Sequence, residues 1–193
     1  MTSNIAMLLA CGAVFALPAQ AAQDGCPPGS YSVVVSPDHA TLSILFDKFH
    51  LNGAGAASAA VATVSTLCRI EHPLTLPANM SLGVYKVDYR GFAKLGANEQ
   101  ASLEVRYALS PHGNAQGRVF RRKVKGAHDG DYVFSENIGA GQMKRVGCGA
   151  GAKLDMTIGM ALTAGGESMA SLDTSDGAGA AVVYHLNLKK CDT

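Results

Sequence analysis

KLDMTIGMAL, residues 153–162, alternates without a break: Leu154, Met156, Ile158, Met160 and Leu162 fall on one side, Lys153, Asp155, Thr157, Gly159 and Ala161 on the other. Successive side chains of an extended chain point to opposite faces, so a period of two predicts a strand with one face against a core. Val182, Tyr184, Leu186 and Leu188 repeat the pattern, as do Leu103, Val105, Tyr107 and Leu109, and Leu42, Ile44 and Phe46. Residues 30–36, 69–76, 82–92, 118–125 and 131–136 complete a set of about nine short strands.

Turn chemistry separates them. Ser36-Pro37-Asp38, Pro111 to Asn114, Gly126 to Gly130 and Asp176-Gly177 supply the residues that reverse a chain. Many strands at this spacing, with no helical pattern between them, give an all-β class, read as an antiparallel β-sandwich. One stretch fits poorly. Asn52 to Thr66 is rich in Ala, Gly, Ser and Thr, and either a short helix over Ala56 to Val64 or a loop of small residues accounts for it.

Length and charge narrow the classes. A chain of 193 residues with 48% hydrophobic residues suits one domain with a real core. Its 16 Lys and Arg against 15 Asp and Glu argue against a nucleic-acid binder driven by phosphate neutralisation. At the N-terminus an apolar run, Ile5 to Ala16, precedes Pro18 and the small-residue pattern Ala19-Gln20-Ala21. This reads as a secretory signal over 1–21 and a single mature domain over 22–193, although Met1 to Asn4 lacks the usual Lys or Arg. The run is too short to span a bilayer, and no later stretch matches it, so no transmembrane segment is expected. Leu8-Leu9-Ala10-Cys11 offers a lipoprotein box as the lesser alternative, with Cys11 as the anchor.

Removal of Cys11 with the signal leaves Cys26, Cys68, Cys148 and Cys191, an even set without CxxC spacing. That favours two structural disulfides in an oxidising compartment over a zinc or redox site. Of the three connectivities, the expectation taken is Cys26 with Cys191 and Cys68 with Cys148, because a bridge closing nearly the whole mature chain removes the most unfolded-state entropy.

CPPGS (26–30), LFDKF (45–49), VDYRGF (87–92), CGAG (148–151), SLDTSDG (171–177) and YHLNLKKC (184–191) occur in an order and spacing that resembles the secreted domain-of-unknown-function family DUF4360. The resemblance covers essentially the whole mature chain and implies a small exported protein with four half-cystines; it supplies no reaction. Val64, Ser65, Thr66 and Leu67 stand before Cys68 where family members carry basic or polar residues, and the chain has no Trp near its last strand. Both departures count against an activity resting on a basic loop or an exposed indole.

No GxSxG elbow occurs, the six His form no HExxH or HxH pair, and the formal GxGxxA at Gly147, Gly149 and Ala152 runs into a strand instead of a helix. Three stretches remain as candidates. In VDYRGF, Asp88 and Arg90 share one side of a strand, and Tyr85, Val87 and Tyr89 take the other. Asp88, Tyr89 and Arg90 are the candidate ligand contacts, set against a reading in which Asp88 and Arg90 only pin the sheet, with Gly91 at a bulge. Asp173 and Asp176 are weak calcium candidates, since two carboxylates fall far short of a calcium shell and a turn explains them. RVFRRKVK, residues 118–125, interleaves five basic residues with Val119, Phe120 and Val124; it is an anionic-ligand surface or a charged edge strand facing Asp129, Asp131 and Glu136. Asn79-Met80-Ser81 is a glycosylation sequon. No cofactor is implied. The expected function is an extracellular binding or surface interaction module, monomeric, with an unidentified extracellular ligand or protein partner; the alternative is an extracellular hydrolase or lyase acting on a polymer through Asp88, Asp173 or Asp176.

Overall fold

The computed structural model describes residues 23–53, 61–111, 117–149, 151–173 and 179–191. The strands are β1 Gln23–Asp24, β2 Tyr31–Val35, β3 Thr41–Phe46, β4 His50–Asn52, β5 Ala62–Leu74, β6 Met80–Leu95, β7 Gln100–Ser110, β8 Arg118–Lys125, β9 His128–Asn137, β10 Arg145–Gly147, β11 Ala152–Ala164, β12 Met169–Ser171 and β13 Val182–Lys190. One 3-10 turn, Ala140–Gln142, lies between β9 and β10. All nine expected strands form, joined by the four short pieces β1, β4, β10 and β12, which are too brief to show a period.

Two sheets stack. The first runs β1-β5-β11-β7-β8, antiparallel except for the parallel β1–β5 pair. The second runs β2-β3-β13-β6-β12-β4, with β9 and β10 on the other edge of β6. The alternation of 153–162 decides the orientation of β11: Leu154, Met156, Ile158, Met160 and Leu162 are buried between the layers, and each such side chain contributes about 1.5–3 kcal/mol of transfer free energy. Tyr184 crosses the gap, its ring 5.3 Å from Tyr107 of the opposite sheet and its hydroxyl 2.6 Å from Met156 Sδ.

The second sheet is organised by β6. Along one edge it bonds β13 and then β12; along the other, β10 and then β9. Its period breaks once. The register against β13 passes from Lys86↔His185 to Val84↔Leu186, and the extra residue, Tyr85, is turned outward at 44% exposure. Tyr85 therefore does not share the buried side of Val87 and Tyr89, as strict alternation predicts. Gly91 is no bulge, because its register against β9 is continuous. It is a close approach: a Cβ there would overlap Ser171 O and Tyr132 Oη, whose mutual hydrogen bond is 2.8 Å.

The Ser36-Pro37-Asp38 turn forms as read. Asp38 Oδ1 accepts from Ser36 Oγ at 2.6 Å and from the Ala40 N–H at 3.0 Å, and these bonds hold its carboxyl below the usual range. Residues 54–60, much of the expected helix, lie outside the described residues, but Ala62 to Val64 already belong to β5 and not to a helix. Thr63 and Val64 pair with Thr163 and Leu162 of β11, and the Thr63 and Thr163 hydroxyls are 2.9 Å apart. Tertiary pairing there overrides a composition that resembles a loop. The export segment, Cys11, the Asp176-Gly177 turn and most of Pro111 to Asn114 also lie outside the described residues.

The disulfide pairing is corrected. Cys26 bonds Cys68 and Cys148 bonds Cys191, with Cα separations of 5.1 and 5.7 Å. Loop entropy ranks what a bridge is worth, whereas geometry selects which one forms. The parallel β1–β5 ladder lays Gln23 and Asp24 beside Thr66 and Leu67, which brings Cys26 to Cys68. At the start of β6, the Cys148 N–H donates to Met80 O and the Cys191 N–H to Asn79 O, placing these two cysteines side by side.

Peptide mapping of the non-reduced protein should recover Cys26–Cys68 and Cys148–Cys191 and no other bridge. Replacing both Cys148 and Cys191 by Ser should lower stability by about 3–4 kcal/mol in denaturant melts, from the loop of about 43 residues that the bridge closes.

Candidate functional site

Asp88, Tyr89 and Arg90 lie in the middle of β6, and their side chains diverge. Tyr89 faces the interlayer core at 0% exposure, its ring 6.2 Å from Phe120. Burial drives its phenol far above the ordinary range, and its hydroxyl has no hydrogen-bond partner among the described residues. Asp88 and Arg90 share the outer face, as their spacing requires, yet they do not pair with each other. Asp88 accepts from Ser135 Oγ at 2.5 Å, from His185 Nε2 at 2.7 Å and from Lys86 Nζ at 2.9 Å. Burial alone would raise its carboxyl; the bonds from Ser135, Lys86 and His185 outweigh that and bring it to about 2. Arg90 is exposed, with its backbone N–H donating to Ala181 O at 2.8 Å. Of the three, Arg90 is the side chain that faces solvent.

The partners of Asp88 come from distant sequence through register. Ser135 lies opposite it on β9, and His185 lies opposite Lys86 on β13, with the Tyr85 ring 5.8 Å from the imidazole. The order is Ser–Asp–His, the carboxylate between the other two. A nucleophilic triad needs the imidazole in contact with the hydroxyl, so this cluster clips three strands and does not activate Ser135.

Farther along the same outer face, Phe92, Met169, Ser171, His50 and Asn52 floor a cleft of about 410 Å³ rimmed by Asp47, Lys48 and Asp173. Asp88 lies four residues from Phe92, about 13 Å along the strand. Asp173 is thus placed at a cleft and Asp88 outside it, while Asp176 lies outside the described residues. No group of three His, Cys, Asp or Glu side chains able to hold a metal ion occurs among the described residues.

A larger depression is on the opposite side of the molecule. The outward positions of β5, β11, β7 and β8 form a trough of about 700 Å³. Ladder register builds it in rows: Leu67–Gly159–Glu104–Arg121 in the middle, Arg69–Thr157–Arg106–Val119 on one side and Ser65–Ala161–Ser102–Lys123 on the other. Small side chains on β11 make the floor, and Arg69, Arg106, Arg121 and Lys123 project around it, all exposed. Glu104 is the acid of the trough, 2.7 Å from Arg121 Nε and 3.8 Å from Arg106 Nη2. Among the described residues neither Arg69 nor Lys123 has a carboxylate partner.

The basic strand 118–125 is the edge strand β8, and the pleat divides it. Arg121, Lys123 and Lys125 face out, while Arg118, Phe120, Arg122 and Val124 turn toward the interlayer. Arg122 pairs with Glu136 of β9, so a charged contact joins the edges of the two sheets. Arg69, Glu104 and Arg106 were not singled out in the sequence; their outward phase on β5 and β7 is the signal that would have found them.

Tyr89→Phe should leave stability unchanged or raise it by up to about 1 kcal/mol, since it removes a buried hydroxyl that has no partner among the described residues. Asp88 titrates lower in the folded chain than in the unfolded one, so its contribution is complete above about pH 4 and fades as pH falls toward 2. Asp88→Asn should therefore cost about 2 kcal/mol at pH 7, and the gap between the two proteins should close in chemical melts at pH 2.

An uncharacterized secreted protein of Arthroderma benhamiae (strain ATCC MYA-4681 / CBS 112371) is 24% identical over 171 residues, covering 86% of this chain and 67% of the relative. The chain is secreted, as its relative is, and no helix among the described residues is long and apolar enough to cross a membrane. The family described as Domain of unknown function (DUF4360) matches residues 19–191, and the chain belongs to that family.

Proposed function

We propose that the exported domain works by binding, and that an extended anionic polymer such as an acidic polysaccharide lies across the trough of the five-stranded sheet. The carrying observation is the arrangement of Arg69, Arg106, Arg121 and Lys123 around a floor of Gly159, Ala161, Thr157 and Ser102, with Glu104 as the acid among them. Small floor residues let a chain approach the sheet, and guanidinium forks grip carboxylates or sulfates in two-point contacts. Among the described residues the lining contains no aromatic ring on which bases would stack, so a single-stranded nucleic acid finds only half of what it needs there.

A second reading, a polymer hydrolase, draws on the cleft over Phe92, which Asp47, Asp173 and His50 line. It requires turnover of a polysaccharide that Asp173→Asn abolishes.

For the binding reading, affinity for polygalacturonate should fall steeply between low and physiological salt, and a neutral glucan should not bind. The double variant Arg69→Ala/Lys123→Ala should bind about tenfold more weakly, since two exposed charge contacts are worth about 1–2 kcal/mol together. Arg90→Ala, on the opposite sheet, should bind as the parent does. Loss with Arg90→Ala and retention by the double variant would move the site to the other face.

A further inference from the structure

A further cavity, of about 220 Å³, lies between the layers where the connection from β9 to β10 passes β7 and the start of β8. Val84 of β6, Leu109 of β7, and Ile138 and Met143 of the connection give it apolar walls. Met143 is seated against Gly83, where a Cβ would lie 2.8 Å from its Cγ and Sδ, so the glycine admits the side chain that closes this wall. The cavity is distinct from the trough: it opens between the sheets, while the trough lies on an outer face.

One group is out of keeping with those walls. Arg118 lines the cavity, with its guanidinium carbon 5.5 Å from the centroid of the Phe120 ring and its Nη2 donating to Gln142 Oε1 at 3.2 Å. These contacts fix the plane of the guanidinium. Its Nε is buried and has no hydrogen-bond partner among the described residues. Buried polar groups in folded proteins are almost always paired, and a charged donor without an acceptor is the most costly exception. Lys144 adds a second cation at the lining, and no acid lines the cavity among the described residues.

We propose that this cavity is a binding site for one small amphipathic acid, its ring or branched hydrocarbon among Val84, Leu109, Ile138 and Met143 and its carboxylate beside the two cations of the lining, Arg118 and Lys144. The size sets the class. An apolar cavity of about 150 Å³ takes benzene, so this one has room for a single ring and a short carboxylated arm, and none for a polymer. The charge sets the sign: two cations and no carboxylate admit an anion and reject an amine. A ligand of this kind would set its negative charge against the cations of the lining, and would cover apolar surface on both sheets at once.

The test uses the mature, disulfide-bonded protein with 3-phenylpropionate, its primary amide and phenethylamine as probes, followed by amide-resolved NMR titration and calorimetry. The acid should bind saturably at one site, shifting Val84, Leu109 and Ile138 resonances, and the amide at least about tenfold more weakly, the loss expected when a charge-assisted bond becomes a neutral one. Phenethylamine should not bind. Arg118→Gln should weaken the acid about tenfold while leaving the amide unchanged. Equal affinity for acid and amide would overturn the proposal without recourse to any variant. So would an unaltered acid affinity in Arg118→Gln, shifts confined to Arg69 and Lys123 in the trough, or no saturable binding of the acid.

Discussion

Strand β6 must satisfy hydrogen bonds on both edges over sixteen residues, and most of the molecule is arranged by that requirement. No single partner covers such a length, so β13 and β12 share one edge and β10 and β9 the other. Backbone groups left unpaired beside a core are costly, which is why four strands from distant parts of the chain end on this one. Leu82, Val84, Val87, Tyr89, Ala93 and Leu95 are buried from it, and the outward bulge at Tyr85 is what lets Val84 and Val87 both reach the core. The bridge between Cys148 and Cys191 then fastens the strands that flank its beginning.

That geometry sorts the charges. A net charge of +1 suggests an electrically bland protein, yet the two outer faces differ. On the eight-stranded side Asp88 is enclosed by Lys86, His185 and Ser135, and its charge is spent on holding three strands together. In the trough of the five-stranded side the cations of β5, β7 and β8 meet one acid, Glu104, while Glu71 and Asp155 farther along that face pair with Lys153. At the edge where the sheets meet, Arg122 and Glu136 form a contact across the layers, and Arg118 is held beside Phe120 with one donor unpaired. Exposed charges of this kind add little to stability, so their concentration on one face bears on association more than on folding.

The residues first singled out were only partly informative. Asp88 and Arg90 share a face because two residues of strand separate them, and that much follows from the pleat. Their partners do not: Ser135 and His185 reach Asp88 through two separate ladders whose registers depend on a bulge at Tyr85. Strict alternation misplaces Tyr85 for the same reason. Tyr89, an apparent contact residue by its neighbours, is enclosed on all sides by the stacking of the two sheets.

The alternation of apolar residues determined by itself that the chain is all-β and which faces of β3, β7, β11 and most of β13 are buried. These are local consequences of a two-residue period and need no knowledge of partners. Which cysteines bond, that Ala62 to Val64 are strand, that Arg69, Arg106, Arg121 and Lys123 border one trough, and that Arg118 faces a cavity were decided only by the tertiary structure. Each depends on which strands become neighbours and in what register, and that is set by the whole core closing at once, not by any segment read alone.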